Sequence, residues 1–435
     1  MSKANSMSIM QRNNDCLLHI FKFITLSNRP NLELVCKRWL EVTSLLWNVT
    51  FIFNVADKDQ LEYTFKEPNK FGECPLDYVN VSLCKRIFPK CFNSLKVINL
   101  SRLHYIGNVT MSSCFYCMMR CGADGPGLLN DLVVQLLNCA NLRKLSLCFC
   151  VVKMSDATLA HLFQKNEYLH SLTLCGYDLV GECLIGLNLK SLESINFVEC
   201  YLKKPSYLNT VISNGSGLHT IRIDSCLSIN SVDETFKIIS QTPLVLRRLS
   251  VYELCSGANF AIDICSFQNL VVLGIEGSAL KDHELKLIAQ NCVKLLVLLI
   301  SMNSFFTDEG LSNIVSLSQL EVLNIGDNDN FTDLGLKVLN RNSRVLQVSR
   351  LNFSAAALLL AIEEIKLLEQ LDVENCEHIE TNFVESVIDI VNKRQNRLPL
   401  EIGVFRSSID VEKVKDTDSL VKLTNKLEVD YNKYD

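Results

Sequence analysis

Residues 295–303 read Leu-Leu-Val-Leu-Leu-Ile-Ser-Met-Asn, and residues 320–328 read Leu-Glu-Val-Leu-Asn-Ile-Gly-Asp-Asn. Both stretches follow one template, in which the first, fourth and sixth residues are apolar and the ninth is small or polar. The alternation in the middle of the template predicts a short β-strand that buries two side chains on one face. The ninth residue stands where the chain leaves the strand, and its side chain can hydrogen-bond the backbone groups of the turn.

The template recurs along most of the chain, which has 435 residues and 69 leucines. Clear copies begin at Leu142, Leu169, Leu192, Leu218, Leu246, Leu270, Leu295 and Leu320. Weaker copies begin at Leu95, Val348 and Leu368, and a last candidate strand covers Leu400–Phe405. Successive clear copies are 23–28 residues apart. A fixed spacing of this size predicts one structural unit that is repeated along the chain.

Signals for the start of a helix stand between the strand templates. Thr307-Asp308 and Thr332-Asp333 are typical N-cap pairs, and spaced leucines and valines follow each of them. Ser155-Asp156 opens a similar segment. The sequence therefore predicts helices between successive strands.

This combination resembles the leucine-rich repeat, whose period is about 20–29 residues. Cysteines at template ends and Asn-Cys pairs at residues 138–139 and 291–292 resemble its cysteine-containing subclass. The resemblance implies an α/β fold, a curved solenoid with inner parallel strands and outer helices. It covers residues 95–405, as about 11–12 repeats with an irregular insertion near residues 104–130. We interpret residues 406–435 as a C-terminal cap or tail.

The segment before the repeats follows a different pattern. Helical spacing predicts one helix whose apolar stripe consists of Leu17, Ile20, Phe21 and Ile24. The same spacing predicts a second helix, which begins near Pro30 and has a stripe of Leu32, Val35, Cys36 and Trp39. Two short helices bury little surface by themselves. They need either the repeat array, which they would cap, or another protein.

The same segment resembles the F-box. The resemblance rests on Leu-Leu-His-Ile-Phe at residues 17–21, Val-Cys-Lys-Arg-Trp at residues 35–39, and Trp47. It implies packing against the Skp adaptor by Leu17, Leu18, Ile20, Phe21, Ile24, Leu32, Val35, Cys36, Trp39 and Trp47. In one departure from the family, Arg12-Asn13 stand where Leu-Pro is usual, which removes an apolar anchor.

The F-box would occupy residues 13–50, after a flexible N-terminus at residues 1–12. A linker or an N-terminal cap of the solenoid would follow at residues 51–94. An F-box before leucine-rich repeats implies a substrate-recognition subunit of an SCF-type cullin–RING ubiquitin ligase. Its partners would be the Skp adaptor, through it the cullin–RING ligase, and a protein substrate. The chain itself would be no enzyme.

Two alternatives remain open at this point. The chain could be a binding or inhibitor protein whose F-box is vestigial, and the missing Leu-Pro is the motive for this alternative. It could also be a GTPase-activating leucine-rich-repeat protein, which would need a protruding polar rim on the repeat loops. Adaptor binding and stimulated GTP hydrolysis distinguish the three possibilities.

The charge and hydropathy of the sequence argue against further classes of protein. The net charge is −5, which argues against a nucleic-acid binder. The longest apolar run, residues 355–362, is far shorter than the ~20 residues that span a bilayer. Because residues 1–14 lack an apolar signal core, we expect a cytoplasmic or nuclear protein without membrane attachment. In that setting the 19 cysteines are interpreted as buried thiols.

The motifs of enzymes are missing from the sequence. It contains no glycine-rich phosphate loop, no Gly-x-Ser-x-Gly and no His-Glu-x-x-His, so we expect no cofactor. Cys114, Cys117 and Cys121 form a weak candidate for a zinc site, because two of them have Cys-x-x-Cys spacing. In a cysteine-rich chain they are more simply explained as small apolar residues.

Side chains that alternate with the buried pair of each strand would face the concave side of the solenoid. Such a surface commonly binds partners. The substrate-binding candidates combine a charged group with a neighbouring apolar patch, and they are Arg222, Asp224, Arg248, Tyr252, Val297, Leu299 and Val322.

Overall fold

The computed structural model describes the following residues: 14–21, 23–24, 29–48, 52–54, 90, 97–99, 136–148, 154–224, 226, 232–242, 244–252, 260–337, 339, 342–411, 414, 420–425, 427 and 429–434. The chain divides into two compact units, Met1–Gly215 and Ser216–Asp435.

The first unit begins with three helices, α1 (Asn14–Phe21), α2 (Arg29–Leu32) and α3 (Lys37–Asn48). Its repeats contribute parallel strands that pair in the order β1 (Ile52–Asn54), β2 (Val97–Asn99), β3 (Lys144–Cys148), β4 (Ser171–Cys175) and β6 (Ser194–Val198). A separate parallel pair consists of β5 (Asp178–Leu179) and β7 (Tyr201–Leu202). The remaining helical elements are α4 (Asp156–Lys165), a 3₁₀ helix at Glu182–Gly186, and α5 (Ser206–Asn214).

The second unit contains nine described strands, which pair in parallel and in chain order. They are β8 (Thr220–Asp224), β9 (Arg248–Tyr252), β10 (Val272–Gly274), β11 (Val297–Leu299), β12 (Val322–Asn324), β13 (Val345–Gln347), β14 (Gln370–Asp372), β15 (Leu400–Gly403) and β16 (Val421–Thr424). The helices between them are α6 (Val232–Gln241), α7 (Phe260–Ile264), α8 (Asp282–Asn291), α9 (Asp308–Ile314), α10 (Asp333–Leu336), α11 (Ala355–Glu364) and α12 (Thr381–Asn392). A 3₁₀ helix at Tyr431–Tyr434 follows the last strand.

The strand register aligns equivalent template positions from repeat to repeat. One row of paired residues is aliphatic and fully buried: Ile221, Leu249, Leu273, Leu298, Leu323, Leu346, Leu371 and Ile402. Neighbouring residues of a strand point to opposite faces of the sheet. The residues on either side of this row therefore form the opposite face. This arrangement of parallel strands and intervening helices is the leucine-rich-repeat fold, as the α/β prediction required.

The polar residue at the template end forms hydrogen bonds with backbone groups of the turn, as predicted. Asn328 is fully buried, and its Nδ2 donates hydrogen bonds to the carbonyl oxygens of Ile300, Ile325 and Gly326 at 3.0, 2.7 and 3.0 Å. Cys200 takes this role in the first unit, where its Sγ lies 3.2 Å from the Leu174 carbonyl oxygen. The turn carbonyls thus obtain partners without water.

The predicted N-cap pairs are confirmed, and they also join successive repeats. Thr332 Oγ1 accepts a hydrogen bond from the backbone N–H of Leu334, which caps α10. Asp308, in the first turn of the preceding helix, accepts bonds from Thr332 N at 2.9 Å and Thr332 Oγ1 at 2.5 Å. A Cβ atom on Gly335 would lie 2.5 Å from Asp308 Oδ1, so glycine is needed for this close approach.

Removal of this link between repeats should weaken the second unit moderately. We expect Asp308→Ala to lower the free energy of unfolding by about 1–2 kcal/mol, because the variant leaves a helix-cap N–H and hydroxyl without their acceptor. Urea denaturation followed by circular dichroism measures the change. Asp329→Ala removes an exposed carboxylate nearby and should change stability by less than about 0.5 kcal/mol. Equal stability of the two variants would contradict the role given to Asp308.

The repeat frame predicted at Val348 is wrong. The strand in this repeat is β13, whose Leu346 pairs with Leu323 and Leu371 of the neighbouring strands. The template therefore begins at Ser343, which is buried. Serine replaces the usual leucine at the first position, and Leu351 replaces the polar residue at the ninth. These two exchanges moved the apparent template by five residues.

Two further expectations change in detail. The second N-terminal helix is not continuous, because Leu34 N and Val35 N donate to the carbonyl oxygens of Asn31 and Leu32 and so close a tight turn after α2. The C-terminal region at residues 406–435 contains an additional strand, β16, which pairs with β15.

Much of the predicted linker at residues 51–94 and the whole insertion at 104–130 lie outside the described residues. Within the described part of the chain, no helix is long and apolar enough to cross a membrane.

Candidate functional site

The three N-terminal helices have a small core of their own. Leu17 and Phe21 of α1 pack with Val42 and Leu46 of α3, and all four side chains are buried. Phe21 and Trp39 make an edge-to-face contact with ring centroids 4.7 Å apart. Such a ring pair adds about 0.5–1.5 kcal/mol beyond the burial of apolar area. The helices are therefore held together by contacts among themselves.

Several large apolar side chains of the same helices remain outside this core. Phe23 is 78% exposed and Leu34 is 81% exposed. We use the name apolar helix face for the exposed side chains Ile20, Phe23, Leu34, Val35, Leu40 and Leu45 of this helical unit. Large exposed apolar side chains on a small helical unit are candidates for contact with a partner protein.

The structure divides the predicted adaptor-binding residues into four groups. Leu17 and Phe21 are buried in the helical core, where a partner cannot reach them. Half-buried side chains are those of Leu18, Ile24, Leu32 and Trp39. Exposed side chains are those of Ile20, Val35 and Cys36. Trp47 belongs to α3, and its side chain lies outside the described residues.

The sequence patterns missed four members of the apolar helix face: Phe23, Leu34, Leu40 and Leu45. Each stands outside the predicted stripes, and apolar residues outside a helical stripe are a usable signal for an exposed apolar surface.

A second candidate surface lies on the strands of the second unit, opposite the buried aliphatic row. We define the valine strip by four residues that the register places side by side on β10 to β13, namely Val272, Val297, Val322 and Val345. The other row of this face is mostly polar and consists of Arg222, Ser250, Gly274, Leu299, Asn324, Gln347 and Asp372.

The valine strip is covered by the C-terminal residues of the chain. Tyr434 forms one buried cluster with the four valines, and Tyr431 and Val429 pack against this cluster. Tyr431 also makes polar contacts: its Oη donates to Gln347 Oε1 at 2.8 Å, and its carbonyl oxygen accepts from Arg248 Nη2 at 2.5 Å. Burial of the Tyr434 hydroxyl raises its pKa. We name residues 427–434 the tail segment.

Next to the strip, polar side chains form two neighbouring hydrogen-bonded groups, which we call the polar network. Asp224 is buried, pairs with Arg222, and accepts a hydrogen bond from Ser250 Oγ at 3.3 Å. Glu276 accepts hydrogen bonds from Ser301 Oγ and Asn324 Nδ2. Burial raises the pKa of both carboxyl groups. This network offers fixed hydrogen-bonding groups to the polar part of a protein partner.

The predicted substrate-binding residues therefore have different surroundings. Val297 and Val322 lie under the tail segment, and Leu299 packs at the edge of the same cluster. Arg248 holds the tail backbone. Arg222 remains exposed, and the half-buried Tyr252 has its hydroxyl 3.0 Å from Met302 Sδ. Only the structure identifies the tail segment as part of this surface.

The cysteines within the described part of the chain are mostly buried thiols. Burial raises the pKa of Cys139 and Cys292 to about 12, which disfavours the reactive thiolate. Cys175 is an exception to the buried-thiol interpretation, since it is disulfide-bonded. The zinc candidates Cys114, Cys117 and Cys121 lie outside the described residues. Among the residues that are described, no group of three or more metal-ligating side chains occurs.

Comparison with known proteins supports the fold. No family's sequence profile and no curated protein sequence matches the chain. Rad7 in the yeast Rad7–Elc1 complex resembles it with a TM-score of 0.52 and 19% identity, over 68% of this chain and 78% of that chain. An internalin from Listeria monocytogenes gives a TM-score of 0.41 and 14% identity, over 73% and 94%.

A third similar structure is the leucine-rich-repeat ectodomain of the Arabidopsis thaliana receptor kinase GASSHO1/SCHENGEN3, solved with CASPARIAN STRIP INTEGRITY FACTOR 2. It gives a TM-score of 0.37 and 15% identity, over 66% of this chain and 33% of that chain. Of these three structures, only the Rad7–Elc1 complex gives a TM-score above 0.5, and at 19% identity this similarity speaks for the fold alone.

Proposed function

We propose that this chain is an F-box protein with leucine-rich repeats of the cysteine-containing subclass, and that it is a substrate-recognition subunit of an SCF-type ubiquitin ligase. The N-terminal helices dock on the Skp adaptor, and the strand face of the repeats binds the target protein. The chain performs no bond chemistry. It works in the cytoplasm or nucleus by holding the target near the ligase, which raises the effective concentration of the target there.

The apolar helix face is the observation that carries this proposal. The three helices already have a core, so Phe23, Leu34 and the other exposed side chains are not needed to hold them together. Large exposed apolar side chains gain about 1.5–3 kcal/mol each when a partner buries them fully. A partner that covers several of them therefore gains part of the free energy that offsets the cost of association. Rad7, a protein of similar fold, was crystallised with Elc1, which supports a bound partner protein by analogy.

Co-purification with the Skp adaptor and the cullin tests the proposal. The variant Phe23→Ala/Leu34→Ala removes two exposed members of the apolar helix face and leaves the helical core unchanged. We expect the wild type to recover both partners and the variant to lose at least tenfold in adaptor affinity. Tyr168→Ala/Ile185→Ala removes two exposed apolar side chains elsewhere in the first unit and should bind as the wild type does.

Leu17→Ala is unsuitable for this experiment, because Leu17 is fully buried and its loss would disturb the helices themselves. Equal adaptor binding by the wild type and the Phe23→Ala/Leu34→Ala variant would contradict the assigned docking face. Failure of the wild type to recover the adaptor would contradict the F-box proposal as a whole.

The absence of Leu-Pro at residues 12–13 favours one second candidate, a non-catalytic binding or inhibitor protein with a vestigial F-box. This candidate predicts a target that co-purifies through the repeats while the adaptor does not.

A further inference from the structure

The valine strip occupies positions where a leucine-rich repeat normally meets solvent or a partner. Four valines from neighbouring strands, with Leu296 and Leu299 beside them, make a continuous apolar surface next to the polar network. Apolar residues are not required at these positions by the repeat fold, because the fold is held by the aliphatic row on the opposite face. An apolar strip here therefore serves contact with another segment.

The tail segment shows which chemistry fits this strip. It contributes two aromatic rings three residues apart, from Tyr431 and Tyr434, and the aliphatic side chain of Val429. The hydroxyl and the backbone carbonyl of Tyr431 bind Gln347 and Arg248. Any extended peptide has such a carbonyl, so the selective feature is the pair of aromatic rings.

Charge at the rim of the strip is mixed. A groove beside Tyr434 is lined by Arg247, Arg344, Glu321 and the tail's own Lys433. Arg344 already pairs with Glu321 and Glu369. Arg248 reaches the tail backbone from the neighbouring strand. The rim therefore sets no preference for the charge of a bound segment, and the aromatic rings remain the selective feature.

A competing ligand can displace the tail segment from the valine strip. The contacts of the tail segment come mainly from one four-residue 3₁₀ helix, which follows the last described strand. Segments outside the strand ladder and with few buried apolar contacts open with a lower free energy than the core strands of a fold. Displacement exposes the valine strip without breaking any strand pairing.

We propose that the valine strip is the docking site for a target segment with two aromatic side chains three residues apart, and that the tail segment is an intramolecular competitor for this site. The proposal rests on the proposed function only in taking the strand face as the target site. An intramolecular competitor acts at an effective concentration near the millimolar range, so it makes the site selective for strong ligands.

Binding of a labelled peptide to the full chain tests the proposal without the adaptor, so the result is independent of the F-box assignment. The probe is a fluorescent peptide with the sequence of residues 427–435. The variant Tyr431→Ala/Tyr434→Ala weakens the binding of the tail segment to the valine strip and leaves the four valines unchanged. We expect this variant to bind the peptide at least tenfold more tightly than the wild type does.

Three controls make the result specific. Tyr168→Ala/Tyr201→Ala removes two exposed tyrosines of the first unit and should bind the peptide as the wild type does. A peptide in which both tyrosines are alanine should not bind the Tyr431→Ala/Tyr434→Ala variant. Addition of Val322→Asp to this variant should abolish peptide binding. The proposal is overturned if the tail variant gains no affinity, or if the alanine peptide binds as well as the tyrosine peptide. The peptide control needs no further change to the protein, so it decides the question even if Val322→Asp fails to fold.

Discussion

Asn303→Ala should destabilise the second unit by about 4 kcal/mol. Asn303 is fully buried, and its Nδ2 donates to the carbonyl oxygens of Ile275, Ile300 and Ser301 at 3.1, 2.9 and 3.0 Å. Its Oδ1 accepts a hydrogen bond from Ser278 Oγ at 2.6 Å. Each lost bond costs roughly 1 kcal/mol, and each buried group left without a partner costs more. The expected loss of free energy of unfolding is therefore large for one side chain.

Urea denaturation of three variants checks this expectation. Asn303→Cys should fall between Asn303→Ala and the wild type, because Cys200 and Cys376 bind turn carbonyls weakly through sulfur at the same template position. Asn342→Ala is the matched control: its amide is exposed and donates to the Ser318 carbonyl oxygen at 2.8 Å. We expect the control to lose less than about 1 kcal/mol. A loss below 1 kcal/mol for Asn303→Ala would contradict the importance of the turn network.

Asp372→Asn should stabilise the protein at neutral pH and have no such effect near pH 4. Burial of Asp372 on β14, with repulsion from Glu374, raises its pKa from 3.8 to about 6, although the backbone N–H of Glu374 and the side chain of Gln347 oppose the shift. Between these two values the folded state binds more protons than the unfolded state. The stability of the wild type therefore falls as the pH rises from about 4 to about 6.

The neutral amide removes this penalty. A shift of about two pKa units corresponds to roughly 3 kcal/mol, which is the upper limit of the gain at pH 7. Asparagine retains an oxygen acceptor for Glu374 N. Unfolding midpoints of the wild type and Asp372→Asn should be compared from pH 4 to pH 8, with the exposed Asp389→Asn as the control. A constant difference across this range would show that the carboxylate charge of Asp372 is not responsible.

The repeat architecture was predictable from the sequence because its signal is local. A buried row requires apolar residues at alternate positions of a strand, and this period is visible within nine residues. The same holds for the Thr307 and Thr332 caps, whose hydrogen bonds lie within one helical turn. The frame at Ser343 could not be predicted, because serine and leucine exchange their expected places in that repeat. Pairing with the neighbouring strands decides this frame.

The proposed adaptor-docking surface was predictable only in part. Helical spacing identified the residues that bury one another, such as Leu17 and Phe21, since a stripe shows which side of a helix is apolar. It does not show which apolar residues remain outside once three helices have packed. The turn after α2 changes the direction of the chain, and this turn leaves Leu34 and Val35 exposed.

The sequence by itself determined the parallel strands, the buried aliphatic row, the polar turns and the apolar character of the N-terminal helices. Only the tertiary structure decided that the tail segment covers the valine strip and that Phe23 and Leu34 face outward. The physical reason is the range of the contacts. Burial with a fixed period leaves a pattern among neighbouring residues, whereas the packing of Tyr434 on Val272 joins residues far apart in the chain and leaves no local pattern.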